Sequence, residues 1–149
     1  MLKDIYNFLP LTDKLSSSGM PTKEQLTELA DAGVQMVINL ALPTSEKALP
    51  NESALVESLN MSYIGIPVEW DHPTAENLKE FMNAMDVHQG YQVHVHCQAN
   101  YRATAFITLY RIEHLGWKRE EAFKDLHRIW NPDEYPSWKK FIEDNLSEP

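Results

Sequence analysis

Val93-His94-Val95-His96-Cys97-Gln98-Ala99-Asn100-Tyr101-Arg102-Ala103-Thr104 is the stretch on which the fold turns. Val93 to His96 alternates apolar and polar side chains with β-branched residues, the pattern of a strand. After Arg102, the residues Ala103, Phe106, Ile107 and Tyr110 fall at helical spacing, and Leu109 widens the apolar side. A helix therefore starts there. The chain's one cysteine, Cys97, sits on the short loop between strand end and helix start. Backbone N–H groups and the helix dipole favour an anion at such a place. They also favour the thiolate, the reactive form of the side chain.

Working outward, Thr22-Lys23-Glu24-Gln25 has the spacing of a capping box, Leu26, Leu29 and Ala30 form a buried stripe, and Gly33 is placed to end that helix. Val34 to Leu40 is a nearly continuous apolar run of strand length, as expected for a strand covered on both faces. Glu52 to Leu59 reads as a short helix, and Tyr63 to Val68 as a strand limited by Gly65 and Pro67. Leu78, Phe81, Met82 and Met85 mark an amphipathic helix ending near His88, and Gln89-Gly90 turns the chain into the strand that ends at Cys97. The helix after the loop runs to Leu115, where Gly116 stops it. Arg119 to Trp130 forms another helix, and Ser137 caps a last one carrying Trp138, Phe141, Ile142 and Leu146. Residues 1 to 20 read as irregular, apart from a short strand or edge segment around Lys14 to Ser17. Trp117, Trp130 and Trp138 read as helix-packing core. Strands alternating with helices imply an α/β fold, a central, mostly parallel sheet of four to five strands flanked by helices, in a single domain over residues 1 to 149. In such a sheet the site lies at the carboxyl ends of the strands, where Cys97 falls.

A net charge of −9 argues against a nucleic-acid or anionic-membrane surface while leaving room for a local cationic pocket. No apolar run approaches the ~18–20 residues that span a bilayer. A lone cysteine makes no internal disulfide, and the first residues lack a signal-peptide core, so the expected location is cytoplasmic, with a removed leader still compatible. The sequence does not set the oligomeric state.

Cys97 and Arg102 are the central candidates for chemistry. Phosphoryl transfer to sulfur needs an in-line thiolate, donors around the equatorial oxygens and an acid for the leaving oxygen. The amides of Gln98, Ala99, Asn100, Tyr101 and Ala103 are candidate donors, and Arg102 offers a bidentate guanidinium. The loop holds no glycine, so Asn100 is expected to take the left-handed position a tight cradle needs. His96 is a candidate for orienting the loop and, when cationic, for lowering the thiol pKa, with a strand histidine bonded to the backbone as its plainer role. Thr104 is placed either to donate to the thiolate or to bond back to its own helix. Asp71, in Glu69-Trp70-Asp71-His72-Pro73-Thr74, is the candidate general acid, with capping of the helix that begins near Pro73 as its plainer role. His94-x-His96-Cys97 invites a metal reading, but Cys97 points to the opposite strand face and a fourth ligand is not evident. No metal and no cofactor is expected.

His96-Cys97 with Arg102, at a strand–loop–helix junction, resembles the phosphate loop of cysteine-dependent protein tyrosine phosphatases, in particular the compact dual-specificity type. Ser18-Gly19-Met20-Pro21, the VINL strand, IPVEWDHPT and the HCQANYR loop together resemble the bacterial phosphatase-like family also found fused to β-lactamase-like hydrolases. The resemblance implies a phosphomonoester substrate, either a phosphorylated small molecule or a phosphoprotein. It implies a phosphocysteine intermediate on Cys97, phosphate binding by Arg102, and Asp71 as acid and then base. Four residues separate Cys97 from Arg102 where the family motif has five, and Ala103 follows Arg102 where Ser or Thr is usual. The short loop leaves two alternatives: an anion-binding pseudo-phosphatase without turnover, and a rhodanese-type sulfurtransferase, whose loop has this spacing.

Overall fold

The computed structural model describes residues 1–147; residues 148 and 149, the end of the expected domain, lie outside them. Strands β1 (Leu9–Thr12), β2 (Leu15–Ser18), β3 (Met36–Asn39), β4 (Ser62–Gly65) and β5 (Val93–His96) form one sheet in the order β1-β2-β5-β3-β4. β2, β5, β3 and β4 run parallel, and β1 pairs antiparallel with β2. Among the described residues six α-helices flank the sheet: α1 (Lys23–Asp31), α2 (Glu52–Ser58), α3 (Ala75–Val87), α4 (Tyr101–Glu113), α5 (Arg119–His127) and α6 (Pro136–Asp144).

Alternation along the strands divides the core in two. Met36, Ile38, Val93 and Val95 face one cluster with Phe81 of α3, Phe106 of α4 and Trp138 of α6. Val37 faces the other with Leu26 and Leu29 of α1 and Val56 of α2. β3 is thus buried on both sides, as its unbroken apolar run requires. α4 lies at the centre. Its residues from Arg102 to Arg111 are all buried, so burial extends around the whole helix beyond the one apolar side read from the sequence and takes in Arg102, Thr104, Thr108 and Arg111.

Local chemistry explains most boundaries. Thr22 and Gln25 form the reciprocal capping box, and Gly33, at φ 97°, closes α1 with bonds Gly33 N–H to Ala30 O and Val34 N–H to Leu29 O. That turn takes up Val34, so β3 starts at Met36 and is shorter than the apolar run. Three readings need correction. Residues 9–18 form a hairpin, and β2 lies between β1 and β5, not at an edge. Pro10 disguised β1; it is tolerated because β1 is the edge strand. α3 is capped by Thr74 through Asn77, which removes the capping role considered for Asp71. α6 starts at Pro136 with Tyr135 as N-cap, so Ser137 is already inside the helix.

Candidate active site

Cys97 follows β5 directly at the carboxyl edge of the sheet and is almost wholly buried. The loop beyond it turns on Asn100, at φ 71°, which is the left-handed N-cap of α4. Asn ordinarily caps a helix by accepting from its first amides. Here the side chain turns away instead, and Asn100 Nδ2 donates to Asn7 O at 2.8 Å. Asn7 returns the bond, its Nδ2 donating to Ala99 O at 3.0 Å. Asn7 is itself left-handed, at φ 50°. The two amides lock the loop to a segment 93 residues away.

The loop is also braced from β2. Met20 N–H donates to Gln98 O at 3.0 Å, and Gly19 N–H donates to Tyr6 O at 2.7 Å. A Cβ on Gly19 would meet Gln98 O at 2.6 Å and the Tyr6 ring at 2.7 Å. Glycine is required here for close approach of two backbones.

Because Asn100 does not cap α4, the helix start stays open. Among the described residues, no protein acceptor takes the N–H of Gln98, Ala99, Tyr101, Arg102 or Ala103. Such donors in a structured loop need a partner, and an anion at the positive end of a helix is the fitting one. Cys97, Gln98, Ala99, Tyr101 and Arg102 line one cavity of about 420 Å³ with Trp70 and Tyr135. Arg102 is buried, and its Nη1 donates to Val68 O at 2.7 Å, fixing the guanidinium to the segment that leads from β4 into the Trp70 loop.

Behind the loop, β5 carries two fully buried histidines. Ser18 Oγ donates to Gly19 O, so it must accept from His94 Nε2–H at 2.7 Å; His94 Nδ1 then accepts from Ser16 Oγ at 2.7 Å. This order makes His94 neutral. Burial, aided by His96 nearby, pushes its pKa from the usual 6.5 down to about 3. His96 instead meets two acceptors, Glu52 Oε2 at 2.6 Å from Nε2 and Cys97 O at 3.3 Å from Nδ1.

The other expected residues fall into place unequally. Thr104 Oγ1 bonds back to Asn100 O at 2.7 Å and accepts from Trp130 Nε1 at 2.9 Å, so its hydroxyl supports the loop backbone. Ala103 is fully buried in the first turn of α4. Asp71 is exposed and does not line the cavity. It sits in a tight turn closed by His72 N–H to Glu69 O at 3.2 Å. Trp70 anchors this turn. Its carbonyl accepts from Trp138 Nε1 at 2.7 Å, and its ring packs on Tyr101, Trp130, Tyr135 and Trp138. Trp130 and Trp138 are core, as expected, whereas Trp117 packs separately under the Arg111 guanidinium at 4.1 Å. Asn7, Glu52 and Tyr135 were not singled out by sequence. Each is brought to the loop from far along the chain, and no local spacing marks it.

The family model described as a DSP-PTPase phosphatase fused to NAD+ kinase matches residues 12–135. A DUF442 protein of Shewanella putrefaciens CN-32, assigned as a candidate phosphatase, is 37% identical, with a TM-score of 0.85 over 97% of this chain and 91% of that one. TpbA of P. aeruginosa in complex with pTyr shares the fold at 16% identity, with a TM-score of 0.72 over 91% of this chain and 82% of its own. PTPMT1 in complex with PI(5)P shares it at 21% identity, with a TM-score of 0.73 over 93% and 96%. Comparison with curated protein sequences finds no match. With a family match over most of its length and a relative at 37% identity, the chain belongs to the DSP-PTPase family of cysteine-dependent phosphatases.

Proposed function

We propose that this phosphatase-family chain hydrolyses a phosphomonoester through a phosphocysteine intermediate on Cys97. The observation that carries the reading is the set of open amides at residues 98, 99 and 101–103, beside Cys97 and Arg102 on one cavity. In the first step the Cys97 thiolate attacks phosphorus in line, an S–P bond forms, and the P–O bond to the leaving group breaks. The loop amides and the Arg102 guanidinium take the charge on the equatorial oxygens. The leaving oxygen receives its proton from Asp71. Water then attacks phosphorus, the S–P bond breaks, and the water's proton passes to the Asp71 carboxylate. Inorganic phosphate leaves and the thiolate is restored. Trp70, Tyr101 and Tyr135 give the cavity an aromatic rim suited to a planar phosphate ester such as phosphotyrosine.

The test is hydrolysis of a chromogenic aryl phosphate and of matched phosphotyrosine and phosphoserine peptides. Turnover should be blocked by vanadate and abolished by Cys97→Ser. Absence of turnover by the wild-type protein across about pH 5 to 8 refutes the reading. One observation favours a second reading, anion binding without turnover: Asp71 lies outside the cavity lining, and its neighbour Trp70 is tied to α6. Under that reading oxyanion binding survives Cys97→Ser and is lost in Arg102→Ala, while Asp71→Asn changes nothing.

A further inference from the structure

From the geometry behind the phosphate loop we infer that Glu52 is a positioning residue for catalysis: it holds His96 as an imidazolium whose Nδ1–H polarises the Cys97–Gln98 peptide toward the bound oxyanion. The inference rests on the reading of Cys97 as nucleophile. Glu52 stands at the start of α2, where a carboxylate would ordinarily face water, yet it is 5% exposed. Its Oε2 lies 2.6 Å from His96 Nε2, a separation that requires a proton between them. On the other side of the ring, Nδ1 lies 3.3 Å from Cys97 O, and a carbonyl only accepts. A neutral imidazole has one N–H and cannot serve two acceptors. With Glu52 as carboxylate, both ring nitrogens carry protons.

The surroundings agree. Asn39 Nδ2 lies 3.5 Å from Glu52 Oε1 and also donates to Tyr63 OH at 3.1 Å. Of the other titratable groups beside the pair, Tyr63 faces Glu52 across Asn39, and His94 stacks on His96 at 6.4 Å between ring centroids and is held neutral by its two serine partners. Of the two histidines on this face of β5, His96 therefore carries the positive charge, directly behind the nucleophile's peptide. A carbonyl that accepts a charged hydrogen bond leaves its peptide N–H a stronger donor. That N–H belongs to Gln98, one of the open amides of the cradle.

The experiment measures Cys97 alkylation by iodoacetamide as a function of pH, alongside aryl phosphate turnover, in wild type, Glu52→Gln and Glu52→Asp. Glu52→Gln keeps the shape and lets an amide donate to His96 Nε2, so the ring becomes neutral. Its alkylation profile should move up by about one pH unit, and its kcat/KM should fall about tenfold with KM little changed. Glu52→Asp should restore most of the wild-type profile. Superimposable profiles for folded wild type and Glu52→Gln overturn the proposal. If Glu52→Gln does not fold, 15N spectra of histidine-labelled wild type decide: protons on both His96 nitrogens support it, and a bare Nδ1 overturns it. Alkylation does not depend on turnover, so a shifted profile in a protein that hydrolyses nothing supports the Glu52 role while refuting the phosphatase reading.

Discussion

Acidification should destabilise this protein through His94, by an amount the structure sets. His94 is fully buried between Ser16 and Ser18, with Phe8 stacked on it at 6.1 Å. Its folded-state pKa is pushed down to about 3 from the usual 6.5 of the unfolded chain. The folded pKa is the lower one, so the stabilising contribution is complete above about pH 6.5 and is lost as the pH falls toward 3, while the unfolded chain takes up a proton that the native state refuses. Integrating the two titrations gives a loss of about 2 kcal/mol between pH 7 and pH 5, with a limiting slope of about 1.4 kcal/mol per pH unit. The reference is His94→Gln, whose amide can still donate to Ser18 Oγ but does not titrate. Urea unfolding followed by tryptophan fluorescence at about pH 7, 6 and 5 reads both proteins. Exposed carboxylates and the His96–Glu52 pair are common to both and cancel in the difference. The variant starts less stable, and the gap should close by about 2 kcal/mol over this range. Stability curves that run parallel in pH would falsify the assignment of His94 as a neutral, buried group.

Three further outcomes follow from the same geometry. Gly19→Ala drives a methyl group into Gln98 O and the Tyr6 ring; a loss of about 1–3 kcal/mol and roughly tenfold weaker vanadate binding are expected, checked by denaturation and inhibition titration. Arg102→Lys keeps the charge but loses the planar fork and the bond to Val68 O; kcat/KM for an aryl phosphate should drop about 10²–10³-fold with the fold intact by circular dichroism. Trp138→Phe removes the donor to Trp70 O; stability should fall by about 1–2 kcal/mol, and amide exchange at Trp70 to His72 should speed up while that of β3 and β5 does not.

Much of this was legible because it is local. The apolar run around β3, the alternation of Val93 to His96 and the capping box at Thr22 are patterns of adjacent residues, and each lies close to where it was read. Asn100 was also legible, since a glycine-free tight loop offers few other candidates for positive φ. What was hidden depends on distant partners. Pro10 looks like a strand breaker until the strand is seen to be an edge. Glu52 reads as an ordinary acidic start of a helix, and only the fold sets it against His96, 44 positions on. Thr104 offered two roles from sequence; its one hydroxyl proton goes to Asn100 O, while the distant Trp130 indole N–H takes the accepting side. Asp71 shows the opposite limit: its loop was legible, but the turn is anchored by Trp70 on α6, a distant partner, and the Asp71 side chain is exposed outside the cavity lining.

The exchange of amides between Asn7 and Asn100 has an evolutionary consequence. A glycine at position 100 would reach positive φ unaided and would leave the backbone of Asn7 without its donor. Each side chain bonds the other segment's backbone, so the contact is held from both sides by separate bonds. The inherited unit of this site is thus larger than its signature, and a graft of the loop alone onto a related scaffold should lose anion affinity until asparagine is placed at position 7 as well.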